Sequence, residues 1–186
     1  MGRETVDLQG SGIGRRRLLR GAGAAFGVGA VAALLPKRPL AAAGGVPLQR
    51  AMAESDLVYV TPLRADGDES RCQAEVWFVA DAGDAVVVTA SDAWRARAVR
   101  SGLDRARLWV GDEGVWTESD GAYLALPSTL AEASVVTDPA EHARLLEVFG
   151  AKYRLSWLMW GPRFRNGLAD GSRVMIRYRP LPKAAA

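Results

Sequence analysis

Thr89, Ser91 and Arg95 stand close together in the chain and together offer what a bound phosphate needs. They supply hydroxyls, backbone N–H groups at a helix start, and a guanidinium with a forked donor face. A plainer role also suits them. Thr89 ends an apolar run, Ser91 or Asp92 stands where a helix cap would, and Arg95, Arg97 and Arg100 fit the solvated face of a helix. Other chemistry-bearing side chains are sparse. His142 is the one histidine and Cys72 the one cysteine, so a multi-histidine metal site and an intrachain disulfide are both excluded. His142 lies on an apolar helical stripe, which suits a packed or interface histidine better than an axial haem ligand. Cys72 falls on the inward face of an alternating segment and reads as a small buried hydrophobe. Nothing fixes Glu75 and Asp112 as an acid pair, and there is no P-loop, zinc-ligand cluster or dinucleotide glycine motif.

The elements that must position these residues are mostly strands. Period-two alternation marks Leu57 to Leu63, Cys72 to Ala80 and Arg105 to Val110. It recurs in Arg173 to Arg179, with Val174, Ile176 and Tyr178 inward and the arginines outward. Ala85 to Thr89 is an apolar run entered through the turn Asp81-Ala82-Gly83-Asp84. Ala65-Asp66-Gly67-Asp68 reads as a hairpin turn, and Val115 to Leu126 as one or two interrupted strands. Two helices are expected. Ser91-Asp92 caps the first, Ala93 to Arg100, which Gly102 ends. Asp138, Pro139 and Glu141 start the second, and Gly150 ends or kinks it. Tyr153 to Trp160 has further helical spacing, stopped by Gly161-Pro162. Its aromatics suit core or dimer-interface packing more than the wall of a ring slot. Dominant hairpins predict a mainly β, α+β fold: one antiparallel small barrel rather than a doubly wound sheet.

The run Glu75-Val76-Trp77-Phe78-Val79, then Val86 through Arg97, then Arg105-Ala106-Arg107-Leu108 resembles the split-barrel proteins of the pyridoxamine-phosphate-oxidase-like family, including their deazaflavin-dependent branch. The resemblance implies that Thr89 contacts a cofactor phosphate and that Arg95 pairs with it. It also implies that Val76 and Trp77 lie on the strand lining the flavin ring. Ala93 stands where the family often has a hydroxyl, and the helix exits through Ser101-Gly102-Leu103-Asp104 rather than Asn-Pro. A deazaflavin, a haem or no cofactor therefore stays open beside FMN. A homodimer with cofactor sites at the subunit interface is implied as well.

Gly14-Arg15-Arg16-Arg17-Leu18-Leu19-Arg20 resembles a twin-arginine export signal. A weakly apolar Gly21–Leu35 run follows, too short and small-residued for a membrane span. Lys37 and Arg38 come next, then small residues at Ala41-Ala42-Ala43 that suit a signal peptidase cutting before Gly44. The expected organisation is a cleaved leader over 1–43, a linker over 44–54 and a split-barrel domain over 55–182. The whole chain has 24 basic and 21 acidic residues. The first 43 residues hold seven basic and two acidic ones, which leaves 17 and 19, a net of −2. The basic balance belongs to the leader and gives no reason to expect nucleic-acid binding.

The reading that results is an exported flavin- or deazaflavin-dependent oxidoreductase acting on a small molecule, delivered by the twin-arginine translocase to the periplasm, cell wall or medium. Its alternatives are a non-catalytic flavin or haem binder and a cofactor-free barrel.

Overall fold

The computed structural model describes residues 47–182; the twin-arginine pattern and its cleavage site lie outside them. Six strands, β1 (Leu57–Pro62), β2 (Ala74–Asp81), β3 (Asp84–Ala90), β4 (Arg105–Val110), β5 (Ser128–Val136) and β6 (Arg173–Pro180), form a closed barrel. Its order is β1-β2-β3-β6-β5-β4, and every pairing is antiparallel. Helix α1 (Leu48–Glu54) precedes β1, α2 (Trp94–Arg100) joins β3 to β4, and α3 (Pro139–Ala169) joins β5 to β6. This is the expected antiparallel α+β split barrel.

Alternation decides what fills the barrel. Val58 faces Val110, Val60 faces Leu108, Phe78 faces Val87 and Val87 faces Ile176 across the strands, so these apolar side chains share the inner side. The Tyr178 ring fits inside because its cross-strand partners, Ala85 and Ala133, are both small. Met52 of α1 and Ala96 of α2 complete the same core. The alternate residues Val79, Val86, Val88 and Met175 point the other way and are covered by Leu145, Leu146, Phe149 and Phe164 of α3.

Helix α3 reverses at Arg154, whose backbone leaves helical geometry at φ 39°, ψ −105°. The rings of Phe149 and Phe164 lie 5.9 Å apart. A straight helix would separate those residues by about 22 Å, so the second arm folds back along the first. Trp157 is what the arms close on: it stacks on Phe149 at 5.9 Å and meets Phe164 edge-on at 5.5 Å. Gly150 permits that approach, because a Cβ there would sit 2.8 Å from the Trp157 indole nitrogen. Gly150→Ala should therefore cost about 1–3 kcal/mol, through overpacking. Chemical denaturation would measure it, and an unchanged midpoint would contradict the packing.

The structure departs from the sequence reading at several elements. Gly161-Pro162 does not stop the helix, which continues to Ala169. Pro162 lies on the exposed side, where water can take the carbonyl that its missing N–H leaves free. Val115 to Leu126 is not strand but two 3-10 turns, Trp116–Glu118 and Ala122–Ala125, separated by the positive-φ pair Asp120 and Gly121. They cover Tyr59 and Trp109 on the outer face of the barrel. Finally, β5 was not foreseen, because its inward residues include only Ala131 and Ala133 as fully buried side chains and give weak alternation. Helix α1 occupies part of the stretch read as a linker.

Arg177 points outward, as expected, but is half-buried rather than open to solvent. It points away from the barrel interior into a bridge with three carboxylates: Asp81 at 2.7 Å, Asp84 at 3.1 Å and Glu141 at 2.6 Å. Arg144 grips Asp81 with two further bonds of 2.8 and 2.9 Å. The cluster ties the start of α3 to the β2–β3 hairpin and to β6.

Candidate functional site

A cleft of about 430 Å³ opens between the β2–β3 face and the second arm of α3. Val76, Trp77, Thr89 and Arg95, four of the five residues singled out in the sequence, line it. Trp160, Phe164 and Arg173 line the other side. The Trp77 and Trp160 rings meet at 69° with centroids 6.1 Å apart.

Arg95 is half-buried, and its Nε donates to Thr89 Oγ1 at 2.8 Å. That bond fixes the guanidinium and leaves its two terminal nitrogens for a ligand. Among the described residues no carboxylate bridges Arg95 or Arg173. Among the described residues no acidic side chain lines the cleft either, so nothing there neutralises the two guanidiniums. Helix α2 spans only seven residues, so the anion preference rests on the guanidiniums rather than on a helix dipole. The charge of Arg95 also acts on the buried Tyr178 phenol, whose hydroxyl has no hydrogen-bond partner among the described residues. Burial pushes that phenol well above its ordinary range and keeps it neutral.

Ser91 does not join the lining. Its Oγ donates to Gly171 O at 2.6 Å, tying the end of β3 to the turn before β6. Nor does Ser91 or Asp92 cap α2: the N-cap is Ala93, with no side-chain cap bond. The hydroxyl is engaged by the turn instead.

Trp77 is held from behind. Its ring stacks on Tyr153 at 4.3 Å and 6°. The Tyr153 hydroxyl accepts from Phe78 N at 2.9 Å and lies within reach of the carbonyls of Asp56 and Phe78. Burial raises its pKa well above the ordinary phenol range, so it stays protonated as a fixed support. Lys152 beside it donates to Ser55 O and Phe78 O at 2.6 and 2.9 Å. Burial lowers its pKa.

The sequence missed Arg173, Trp160 and Phe164 as cleft residues. Arg173 is the cross-strand partner of Ala90, next to Thr89, and only the β3–β6 pairing reveals this. Its stem passes over Gly167, where a Cβ would lie 2.6 Å from the Arg173 Cγ. Its guanidinium sits 5.2 Å from the Phe164 ring centre. Trp160 had a legible signal in the Tyr153–Trp160 aromatics: Tyr153 and Trp157 are core, as expected, while Trp160 walls the cleft.

A second, larger cleft of about 550 Å³ lies between the two arms of α3 and includes His142, Glu147 and Arg165. Among the described residues its lining holds no Phe, Tyr or Trp. His142 Nε2 donates to Val136 O at 2.8 Å, a structural tie that suits the expected packed histidine. Cys72 stands just before β2, half-buried rather than on the strand's inner face.

No protein-family model matches the chain, and no curated protein matches it. Solved structures do. HutZ, a haem storage protein of Vibrio cholerae, superposes with a TM-score of 0.51 at 18% identity, over 73% of this chain and 89% of that one. A candidate pyridoxamine 5'-phosphate oxidase from Listeria innocua superposes with a TM-score of 0.49 at 13% identity, over 73% and 91%. At such identities the likeness is one of fold alone: the chain shares with HutZ an antiparallel split barrel.

Proposed function

We propose that the chain is a cofactor-dependent oxidoreductase that holds FMN or a deazaflavin in the Trp77–Trp160 cleft. The observation that carries this reading is the pairing of an aromatic-walled slot with guanidiniums that no carboxylate neutralises. Such a slot suits a flat ring bearing an anionic tail. Arg95, braced by Thr89, would take the phosphate, and Arg173 stands on the same cleft for further negative charge. Trp77, Trp160 and Phe164 would flank the ring and exclude water. The cofactor would supply the hydride or electron chemistry, since no acid–base pair lines the cleft. The substrate would be a small molecule admitted through the open side.

A second reading is a non-catalytic haem binder. Two unneutralised guanidiniums on one flat cleft also suit a ring with two carboxylates, and the HutZ likeness brings haem to mind for this fold. Absorption spectra of the protein passed through gel filtration after mixing with FMN, a deazaflavin or haem would separate the readings. A retained flavin-like band supports the first and a Soret band the second. Loss of every chromophore rejects both.

Two further proposals attach to this one. A second copy would complete the cleft as a homodimer, and the protein would leave the cytoplasm through the twin-arginine translocase. Replacing Arg15 and Arg16 by Lys is then expected to hold the protein in the cytoplasm, measured by fractionation. Undiminished export would reject the signal.

A further inference from the structure

The second arm of α3 presents a face that the barrel does not cover. Leu155, Leu158 and Met159 are 82%, 76% and 63% exposed. At helical spacing they form one stripe with Pro162, also exposed. Arg163 and Arg165 flank this stripe on its two sides, and Arg154 stands at the reversal where it begins. Arg163 lies 4.9 Å from the Trp160 ring centre and Arg165 5.9 Å from that of Trp157, so the indoles hold both guanidiniums beside the apolar face. Between positions 148 and 169 there is no Asp or Glu. Among the described residues no carboxylate bridges Arg154, Arg163 or Arg165.

We propose that this arm docks the protein on an anionic lipid surface, lying in the plane of the headgroups. An apolar stripe edged by unpaired arginines is the pattern of an interfacial helix: the apolar side chains enter the acyl boundary and the cations meet lipid phosphates. Lipid answers the charge better than a second copy of the chain does. A twofold contact through this face would set the same unpaired arginines against each other, with no acidic residue to receive them. The arm does not span the bilayer, for no helix among the described residues is long and apolar enough to do so. Its other face lines the cofactor cleft through Trp160 and Phe164, so docking would hold the cleft close to the membrane. The docking does not depend on what fills that cleft.

The test is co-sedimentation of the full chain with vesicles of phosphatidylcholine alone and of phosphatidylcholine mixed with phosphatidylglycerol. Two variants go beside it: Leu155→Ser with Leu158→Ser, and Arg163→Gln with Arg165→Gln. These side chains are at the surface, and circular dichroism would verify that both variants fold. The wild-type chain should bind the mixed vesicles, less so at high salt, and each variant should bind at least about tenfold more weakly. Equal binding by wild type and variants would assign the attraction to the basic leader and overturn the proposal. Absence of wild-type binding would overturn it too. So would gel filtration showing that the Leu155→Ser, Leu158→Ser variant breaks a dimer, since the face would then belong to a second copy.

Discussion

Arg95→Ala should weaken FMN or deazaflavin binding by roughly 10- to 100-fold while the barrel stays folded, the range expected when charge-assisted hydrogen bonds to a phosphate are lost. The guanidinium is placed for this role by Thr89, whose hydroxyl accepts from its Nε at 2.8 Å. Thr89 is only 3% exposed, so its hydroxyl loses a partner on truncation and global stability should fall slightly as well. Arg95→Lys separates charge from geometry. It keeps the cation but loses the fork and the Thr89 brace, and should recover only part of the affinity. Fluorescence titration with FMN measures both variants. An Arg95→Ala dissociation constant equal to that of the wild type would remove Arg95 from the site and leave it an ordinary surface arginine.

The largest effect on stability should come from Arg177→Ala, about 3–5 kcal/mol, because it strands carboxylates that the fold has taken out of water. Arg177 is 14% exposed, and its partner Asp84 10%. Asp81 keeps Arg144, but Asp84 retains only the exposed Arg179, at 3.7 Å. A midpoint in urea unchanged by the substitution would show that the cluster contributes nothing. The same cluster sets an acid limit. Hydrogen bonds from Arg144, and then from Arg177, hold the Asp81 carboxyl well below the usual carboxylate range. A group whose pKa is lowered by folding adds stability above its unfolded value, about 4, and loses it as pH falls towards the folded value. Stability should therefore erode from about pH 4 downward, and less steeply in Asp81→Asn.

How much of this was legible depends on where each signal lay. The inward faces of β2, β4 and β6 could be read because their apolar residues recur with period two. β5 could not, since its buried inward residues Ala131 and Ala133 are small, and Ala133 leaves room for Tyr178 rather than filling space itself. Val76, Trp77, Thr89 and Arg95 reach one cleft because two adjacent strands and the helix after them carry all four. Arg173, Trp160 and Phe164 come from sequence far beyond, brought in by the β3–β6 pairing and the reversal at Arg154. Positive φ at an arginine gives no sequence signal, so a chain stop looked more natural at Gly161-Pro162. Ser91 was chosen for its hydroxyl, but a hydroxyl in a turn has local backbone acceptors to satisfy, and Gly171 O takes it.

The measurement that tests the central claim most directly is a crystal structure of the protein grown with FMN or a deazaflavin. Our account predicts the ring against Trp77 and Trp160, with the phosphate on the terminal nitrogens of Arg95. A cofactor seated instead in the larger cleft beside His142, or a Trp77–Trp160 cleft left to solvent at saturating cofactor, would contradict it.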